Sequence, residues 1–368
     1  MDSQNRNQYQ PDTVTPPGFY IQEKLGELGM TQTDLADRIG RTKKTVNEIV
    51  TGKAPIEPET ALQLERVLGI PARFWNNAER HYRDYIVRQA ERERLELQVQ
   101  RLKSFPVKAM CNLGWLPKRS DQLEALSDLL NFFGTATFKA LDQIDRQTCA
   151  AFRQSAVHRV DSGAVLAWLR KGELDARAIA CQAFDKDQFR SGLSQIRSLT
   201  LHPITEAVPE TVRLCAASGV ALVFVPELPG TRTWGATRWL APDRALIQLS
   251  VRGKTDDQLW FTFFHEAGHI LLHPKKDIFI ELDDTVDSRE DEADRFAADW
   301  LIPPNTWQLA RRLRLKSAFE IQCFARQYQV APGILVGRMQ REKLIPWKNL
   351  NGLKTRLTFK APQSTGGR

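Results

Sequence analysis

Apolar residues recur at helical spacing over roughly the first 80 residues of the chain, in short runs separated by Gly and Pro. This pattern predicts a first helix from about Gly18 to Leu28. Thr31 and Thr42 can cap two further helices, because a hydroxyl accepts a hydrogen bond from a free amide at a helix start. The positions expected to face inward are Leu35, Ala36, Ile39, Val46, Ile49 and Val50. The three helices predict a small all-α helix-turn-helix domain at residues 17–80.

The pattern changes twice in the rest of the chain. A stretch rich in Arg and Glu continues the helical spacing, which persists to about residue 210. Short β-branched and aromatic runs then alternate with turn residues, as in strands of a small sheet, before helical spacing resumes at DDQLWFTFFHEAGHILLH. The predicted fold class is multidomain, with an α+β domain after the all-α domain. The other predicted segments are a disordered leader at 1–16, a helical linker at 81–105, a helical middle region at 106–210, the α+β domain at 211–345 and a tail at 346–368.

Composition narrows the classes of protein to which the chain can belong. Hydrophobic residues make up 42% of the 368, enough for two or three domain cores, and no apolar run is long enough to cross a bilayer. The polar start is unlike a signal peptide, and the five cysteines are scattered, as expected of free thiols in a cytoplasmic protein. The formal charge of +8 favours phosphate-rich partners only slightly.

The third helix of the first domain has polar residues on its outer face, where a recognition helix meets the major groove. Asn47 can recognise an adenine edge, and Lys43 or Lys44 a guanine. Phosphates can be held by residues that set orientation without reading sequence. The residues expected to contact DNA are Gln32, Thr33, Thr42, Lys43, Lys44, Asn47 and Lys53. The alternative is that these are the ordinary exposed side chains of a three-helix bundle.

The segment from Pro17 to about Asn77 closely resembles the HigA-type antitoxins of the Cro/C1 helix-turn-helix class. The resemblance rests on the Thr31–Gln32 helix start, the Asn47–Glu48–Ile49 stretch and the Phe74–Trp75 end. It implies a module that binds double-stranded operator DNA, as a possible homodimer.

His265-Glu266-Ala267-Gly268-His269 forms an HExxH pattern. On a helix the two histidines, four residues apart, lie on one face and can bind one Zn²⁺. Glu266 then serves as the base that takes a proton from water. The preceding LWFTFF is strongly apolar, so the helix is expected to be buried, where a histidine–glutamate pair needs a partner such as zinc. The alternative is two histidines satisfied within a core.

Zinc needs a third protein ligand, and the downstream helix SREDEADRFAADWLIP offers several carboxylates. Glu292 is the preferred candidate because it shares a helix face with Phe296, whereas Glu290 and Asp291 are the rivals. Asp294 is expected to point more towards solvent. His273, a further turn along from His269, is expected to support the site or end the helix without binding the metal.

The same two segments look like the ImmA/IrrE family of zincin-like metallo-endopeptidases, over about Leu214 to Pro304. The resemblance implies zinc bound by His265, His269 and Glu292, with Glu266 as base. It also implies cleavage of a regulatory protein, commonly a helix-turn-helix repressor, in a toxin–antitoxin, prophage or stress-response circuit.

The leading interpretation is therefore a DNA-binding regulator with a zinc endopeptidase domain. In a first alternative, the chain is a non-proteolytic repressor or antitoxin whose second domain is a sensor or toxin-binding scaffold. In a second, it is a protease whose first domain captures a protein. A further hypothesis is that the strands before the HExxH helix hold substrate by β-addition. Residues 321–347 have a second helix-turn-helix rhythm and could contact DNA, but packing of these helices on the core is the preferred interpretation.

Overall fold

The computed structural model describes residues 14–151, 161–250, 252, 255–275, 278–282 and 288–357. The chain divides into two compact units, residues 1–99 and 100–368. The predicted leader lies almost entirely outside the described residues, as do the last residues of the predicted tail. No helix of the described part is both long and apolar enough for a membrane span.

The first unit is all helical, as predicted. Thr31 and Thr42 cap the second and third helices by accepting hydrogen bonds from the amides of Asp34 and Thr45. The six residues predicted to face inward are all buried, and Trp75 closes the same core. A single helix runs from Ala72 to Glu96 and passes through the domain boundary predicted at residue 80. The helices are α1 (Pro17–Leu28), α2 (Gln32–Ile39), α3 (Lys43–Val50), α4 (Pro58–Leu68) and α5 (Ala72–Glu96).

The second unit begins with helices and continues into a sheet of four strands in the order β1-β3-β2-β4. β1 and β3 are parallel, and the other two pairs are antiparallel. The helices are α6 (Val107–Asn112), α7 (Gln122–Phe133), α8 (Phe138–Ala151), α9 (Ser162–Arg177), α10 (Lys186–Leu199) and α11 (Ile204–Ala217). The strands are β1 (Val220–Val225), β2 (Thr233–Ala241), β3 (Arg244–Ser250) and β4 (Phe279–Leu282). β2 and β3, proposed from sequence to hold substrate by β-addition, are interior strands here, and β1 and β4 form the edges.

Helix α12 (Asp256–Leu272) packs on this sheet, and four α-helices and a short 3-10 helix (Asn351–Leu353) follow it in the described part of the chain. The α-helices are α13 (Ser288–Leu301), α14 (Pro304–Leu313), α15 (Ala318–Tyr328) and α16 (Pro332–Arg341). α15 and α16 contribute Phe324 and Leu335 to the main core, and Arg338 donates to the carbonyls of Ala298 and Ile302. These helices therefore pack on the core, as the preferred reading of residues 321–347 holds.

Two contacts fix the start of α12. Gly333 and Gly337 of α16 lie very close to it. A Cβ at Gly333 would lie 2.8 Å from Oδ1 of Asp256, and a Cβ at Gly337 would lie 2.5 Å from Oδ2 of Asp257. Lys354, in the segment after α16, forms a buried ion pair with Asp257 at 2.7 Å. Residues of the predicted tail therefore contact the start of α12.

Candidate metal centre

Helix α12 buries the whole HExxH pattern. His265, Glu266 and His269 are exposed by 1%, 0% and 2%, and Phe263 and Phe264 lie in the core beside them. The helix is therefore buried, as the apolar LWFTFF run predicts, and its burial carries three polar side chains into the protein interior. Burial of such groups is unfavourable unless each finds a partner, and the arrangement around them supplies partners.

Three side-chain atoms meet at one point between α12 and α13. Nε2 of His265 lies 2.9 Å from Oε2 of Glu290 and 3.0 Å from Nε2 of His269, and the third side of the triangle is 3.5 Å. A tetrahedral zinc ion with bonds of about 2.0–2.1 Å has ligand atoms roughly 3.3–3.4 Å apart. The two imidazoles and one carboxylate therefore fit zinc in donor type and spacing. Among the described His, Cys, Asp and Glu side chains, these three, His265, His269 and Glu290, lie close enough together to share an ion.

The third member of this group is Glu290, not the Glu292 expected from sequence. The Glu292 carboxylate is 60% exposed and lies 3.3 Å from Nε2 of His273, outside the triangle. The physical reason is the helix period. Glu290 shares a face with the fully buried Ala293 and Ala297, three and seven residues on, whereas Glu292 shares one with the half-buried Phe296. The fully buried alanines mark the face of α13 that carries Glu290 towards α12, and Phe296 packs against Gly268 of α12 beside them.

Two further side chains hold the imidazoles from behind. Oδ1 of Asp294 lies 2.9 Å from Nδ1 of His265, and Nδ1 of His273 lies 2.9 Å from Nδ1 of His269. Because an ionised carboxylate only accepts, His265 donates from Nδ1 to Asp294, and this contact favours the tautomer whose Nε2 lone pair would be available to a metal ion in place of a proton. His273 thus contacts His269, and its supporting role at the site stays a prediction. Asp294 was expected to face solvent, and its position four residues after Glu290 is the signal that would have revealed it.

The electrostatics of the group suit a cation. Burial is the largest influence on His269 and lowers its pKa to about 4, so the imidazole is neutral at pH 7. Burial alone would raise the pKa of Glu290, but hydrogen bonds with His265 and His269 outweigh it and lower that pKa to about 2. The ring of Phe279 on β4 stacks on His269 with centroids 4.2 Å apart, which shields that side of the site.

Glu266 points towards β2. Gly235 lies against its side chain so closely that a Cβ there would be 2.4 Å from Oε1 and 2.9 Å from Cδ. Thr237 on the same strand donates from its hydroxyl to the Glu266 carbonyl, at 3.1 Å. The strand thus leaves space for this carboxylate and ties its backbone down, one residue away from the first histidine.

A cleft of about 790 Å³ opens beside the triangle. Phe261, one turn before His265 on α12, lies in its wall, as does Asp294, which contacts His265 directly. The wall is mixed in character, and its side chains include Trp234, Phe261, Ile334, Arg341 and Trp347.

The first unit presents the predicted recognition helix to solvent. Lys43, Lys44 and Asn47 are exposed on α3, and Thr33 and Lys53 are exposed on either side of it. Gln32 is half-buried, and the Thr42 hydroxyl is used by the cap. Lys44 lies 3.8 Å from Glu48, an exposed ion pair that costs little to break.

Fold and site together define a two-domain protein, a helix-turn-helix unit followed by an α+β unit with an HExxH helix. Residues 21–75 match the helix-turn-helix family, and residues 222–339 match the IrrE N-terminal-like domain of peptidase family M78. The chain therefore carries a helix-turn-helix domain and an IrrE N-terminal-like domain. Both resemblances stated from the sequence are confirmed.

Individual relatives match the first domain. The uncharacterised helix-turn-helix transcriptional regulator YddM of Escherichia coli (strain K12) is 36% identical over 61 residues, which are 17% of this chain and 65% of YddM. An addiction-module antidote protein of a HigA family from Coxiella burnetii is 28% identical, covering 22% of this chain and 90% of that one, with a TM-score of 0.21. The Pseudomonas aeruginosa antitoxin HigA, solved with the higBA promoter, is 27% identical over 23% of this chain and 92% of its own, with a TM-score of 0.22.

Proposed function

We propose that the chain is a DNA-binding regulator whose second domain is a zinc-dependent endopeptidase acting on a partner regulatory protein. The observation that carries the enzymatic part is the triangle of His265, His269 and Glu290 with Glu266 buried next to it. A zinc ion held there would act as a Lewis acid and activate water for attack on a peptide carbonyl.

The chain's own residues then have distinct tasks. His265, His269 and Glu290 would hold the ion, while Asp294 and His273 keep the two imidazoles oriented. Glu266 would take a proton from the attacking water and pass it to the amine that leaves. Its place beside Gly235 confines the carboxylate, so little reorientation is needed during the reaction.

The cleft beside His265 is the proposed substrate site. Its walls combine apolar rings with guanidinium groups, which suits an extended peptide with mixed side chains. We propose a helix-turn-helix repressor or a toxin as the substrate, on the resemblance stated from sequence.

The DNA-binding part rests on the exposed polar face of α3 within a helix-turn-helix domain. Lys43, Lys44 and Asn47 would meet base edges, with Gln32, Thr33, Thr42 and Lys53 towards phosphates. A binding site selected from random duplexes should lose affinity steeply as salt rises. A flat response to salt would contradict DNA binding and favour capture of a protein by this domain.

The test of the enzymatic part compares the wild-type protein with Glu266→Gln. We expect both to contain about one zinc by elemental analysis, and only the wild type to cleave a repressor or toxin encoded beside it. Equal cleavage by the two proteins would refute Glu266 as base. Unchanged repression with no cleavage by either protein would favour the alternative, a non-proteolytic repressor or antitoxin that uses this domain as a scaffold.

A further inference from the structure

Arg341, at the end of α16, lies outside the segment that matches the IrrE N-terminal-like domain, yet it reaches the candidate metal centre through one intermediary. Its guanidinium is ion-paired with Oδ2 of Asp294, whose other oxygen accepts from Nδ1 of His265. The three side chains form a chain that runs from the cleft wall to a metal ligand.

Arg341 is held on two sides. Cζ of the guanidinium lies over the Phe261 ring, 4.4 Å from its centroid, and Nη2 donates to Asp294. A planar, delocalised cation suits such a site, because it can stack on a ring and donate from its edge at once. Arg341 is 51% exposed and Asp294 is 33% exposed, so the pair as such contributes little to global stability. Arg341 matters in another way, because it contacts Asp294, the carboxylate that orients His265.

We propose that Arg341 is a positioning residue for the metal centre, acting through Asp294 to hold His265 in the tautomer and orientation that bind zinc. This inference rests on the proposed metal site. Without Arg341, the partly exposed carboxylate of Asp294 is free to turn towards water, and His265 then loses the acceptor that fixes its Nδ1 proton.

The positive charge of Arg341 would by itself have the opposite effect on zinc affinity. A guanidinium near a bound cation repels it, so removal of Arg341 by that effect would strengthen zinc binding. Solvent screens a half-exposed charge, whereas orientation of a buried ligand is not screened. The positioning role therefore predicts weaker zinc binding in Arg341→Ala, and the sign of the change separates the two effects.

The experiment measures Zn²⁺ dissociation constants of the full-length chain by competition with a chromophoric chelator. Loss of a direct partner of a ligand typically weakens affinity by about 10- to 100-fold, which we expect for Asp294→Ala. We expect Arg341→Ala, one contact further out, to weaken binding by roughly 3- to 10-fold, and Arg341→Lys, which keeps the charge but not the planar stack, to fall between it and wild type. The double variant should bind no more weakly than Asp294→Ala, because Arg341 acts through Asp294.

Arg295→Ala is the matched control. This exposed arginine lines the same cleft and forms no ion pair with any described residue, so its removal should leave the zinc dissociation constant unchanged. Thermal melts of the metal-free proteins check that each variant folds, and the visible spectrum of Co²⁺-loaded protein checks that the ligand set is intact.

Unchanged or tighter zinc binding in Arg341→Ala, or additive losses in the double variant, would overturn the proposal. If wild-type protein bound no zinc at all, the proposed metal centre itself would fail, and this inference with it. The two failures are therefore distinguishable by the wild-type measurement alone.

Discussion

Replacement of Gly235 by alanine should disable the proposed base while leaving the metal ligands in place. The new Cβ would lie 2.4 Å from Oε1 of Glu266 and 2.9 Å from both Cδ and Cγ. Carbon contacts are comfortable only near 3.5 Å, so the carboxylate must retreat by roughly 1 Å. A displacement of that size in a catalytic group can lower the rate by about 100-fold. Overpacking of a buried site costs about 1–3 kcal/mol of folding free energy.

The assay measures three quantities on the same preparation: peptide cleavage, zinc content and the free energy of unfolding in urea. For Gly235→Ala we expect a loss of cleavage by about two orders of magnitude, full zinc content and a modest loss of stability. Gly192→Ala serves as the control, because its nearest outside atom would be 3.7 Å away, within ordinary contact distance. That helical substitution should leave cleavage unchanged and stabilise the protein by about 0.5–1 kcal/mol.

A Gly235→Ala protein with wild-type activity would refute the argument, since it would mean that the strand moves away or that Glu266 does not act from its observed position. If Gly235→Ala lost zinc as well as activity, the argument would fail for another reason. The clash would then have displaced the helix that carries His265 and His269, and the effect could not be assigned to the base.

Three further predictions follow from single contacts. Glu290→Gln should lower zinc affinity far more than Glu292→Gln, since only Glu290 belongs to the triangle; chelator competition measures this, and the reverse order would restore Glu292 as ligand. Gly337→Ala should destabilise the second unit by about 1–3 kcal/mol in urea unfolding, because its Cβ would lie 2.5 Å from Oδ2 of Asp257 in a buried ion pair, and an equal or greater stability than wild type would show that this contact relaxes freely. Lys43→Ala should reduce operator affinity and flatten its salt dependence more than Lys24→Ala does, Lys24 being a half-buried lysine of α1 that pairs with Glu27, and equal effects of the two would exclude α3 as the recognition helix.

Sequence alone predicted the features that depend on local patterns. The capping threonines, the helix-turn-helix order and the buried HExxH helix follow from neighbours within a few residues, and the structure confirms them. The DNA contacts and the metal itself stay predictions, because no described atom tests them. Local patterns cannot show that residues 346–357 return to the start of α12, since the Lys354–Asp257 pair joins positions about a hundred residues apart.

The carboxylate that lies beside the two histidines differs from the one that the sequence favoured. Two faces of α13 were compatible with its sequence, one through Glu292 and Phe296, the other through Glu290 and Ala293. Large apolar residues usually mark a buried face, which favoured the first. A close helix pair limits this rule, because small residues such as Ala293 let the backbones approach each other.

The closeness of α12 and α13 thus belongs to the chemistry of the site as much as its donor atoms do. A Cβ at Gly268 would lie 3.1 Å from the Phe296 ring and 3.3 Å from the Cα of Ala293, so both helices are already near their limit. At this separation Glu290 reaches the two imidazoles, and Asp294, one turn on, reaches the back of His265. Because one helix carries both carboxylates four residues apart, a rotation of α13 by a single residue would move the proposed ligand and its supporting acceptor away together. We therefore expect the proposed metal centre to require small residues at Gly268 and Ala293, although neither contributes a donor.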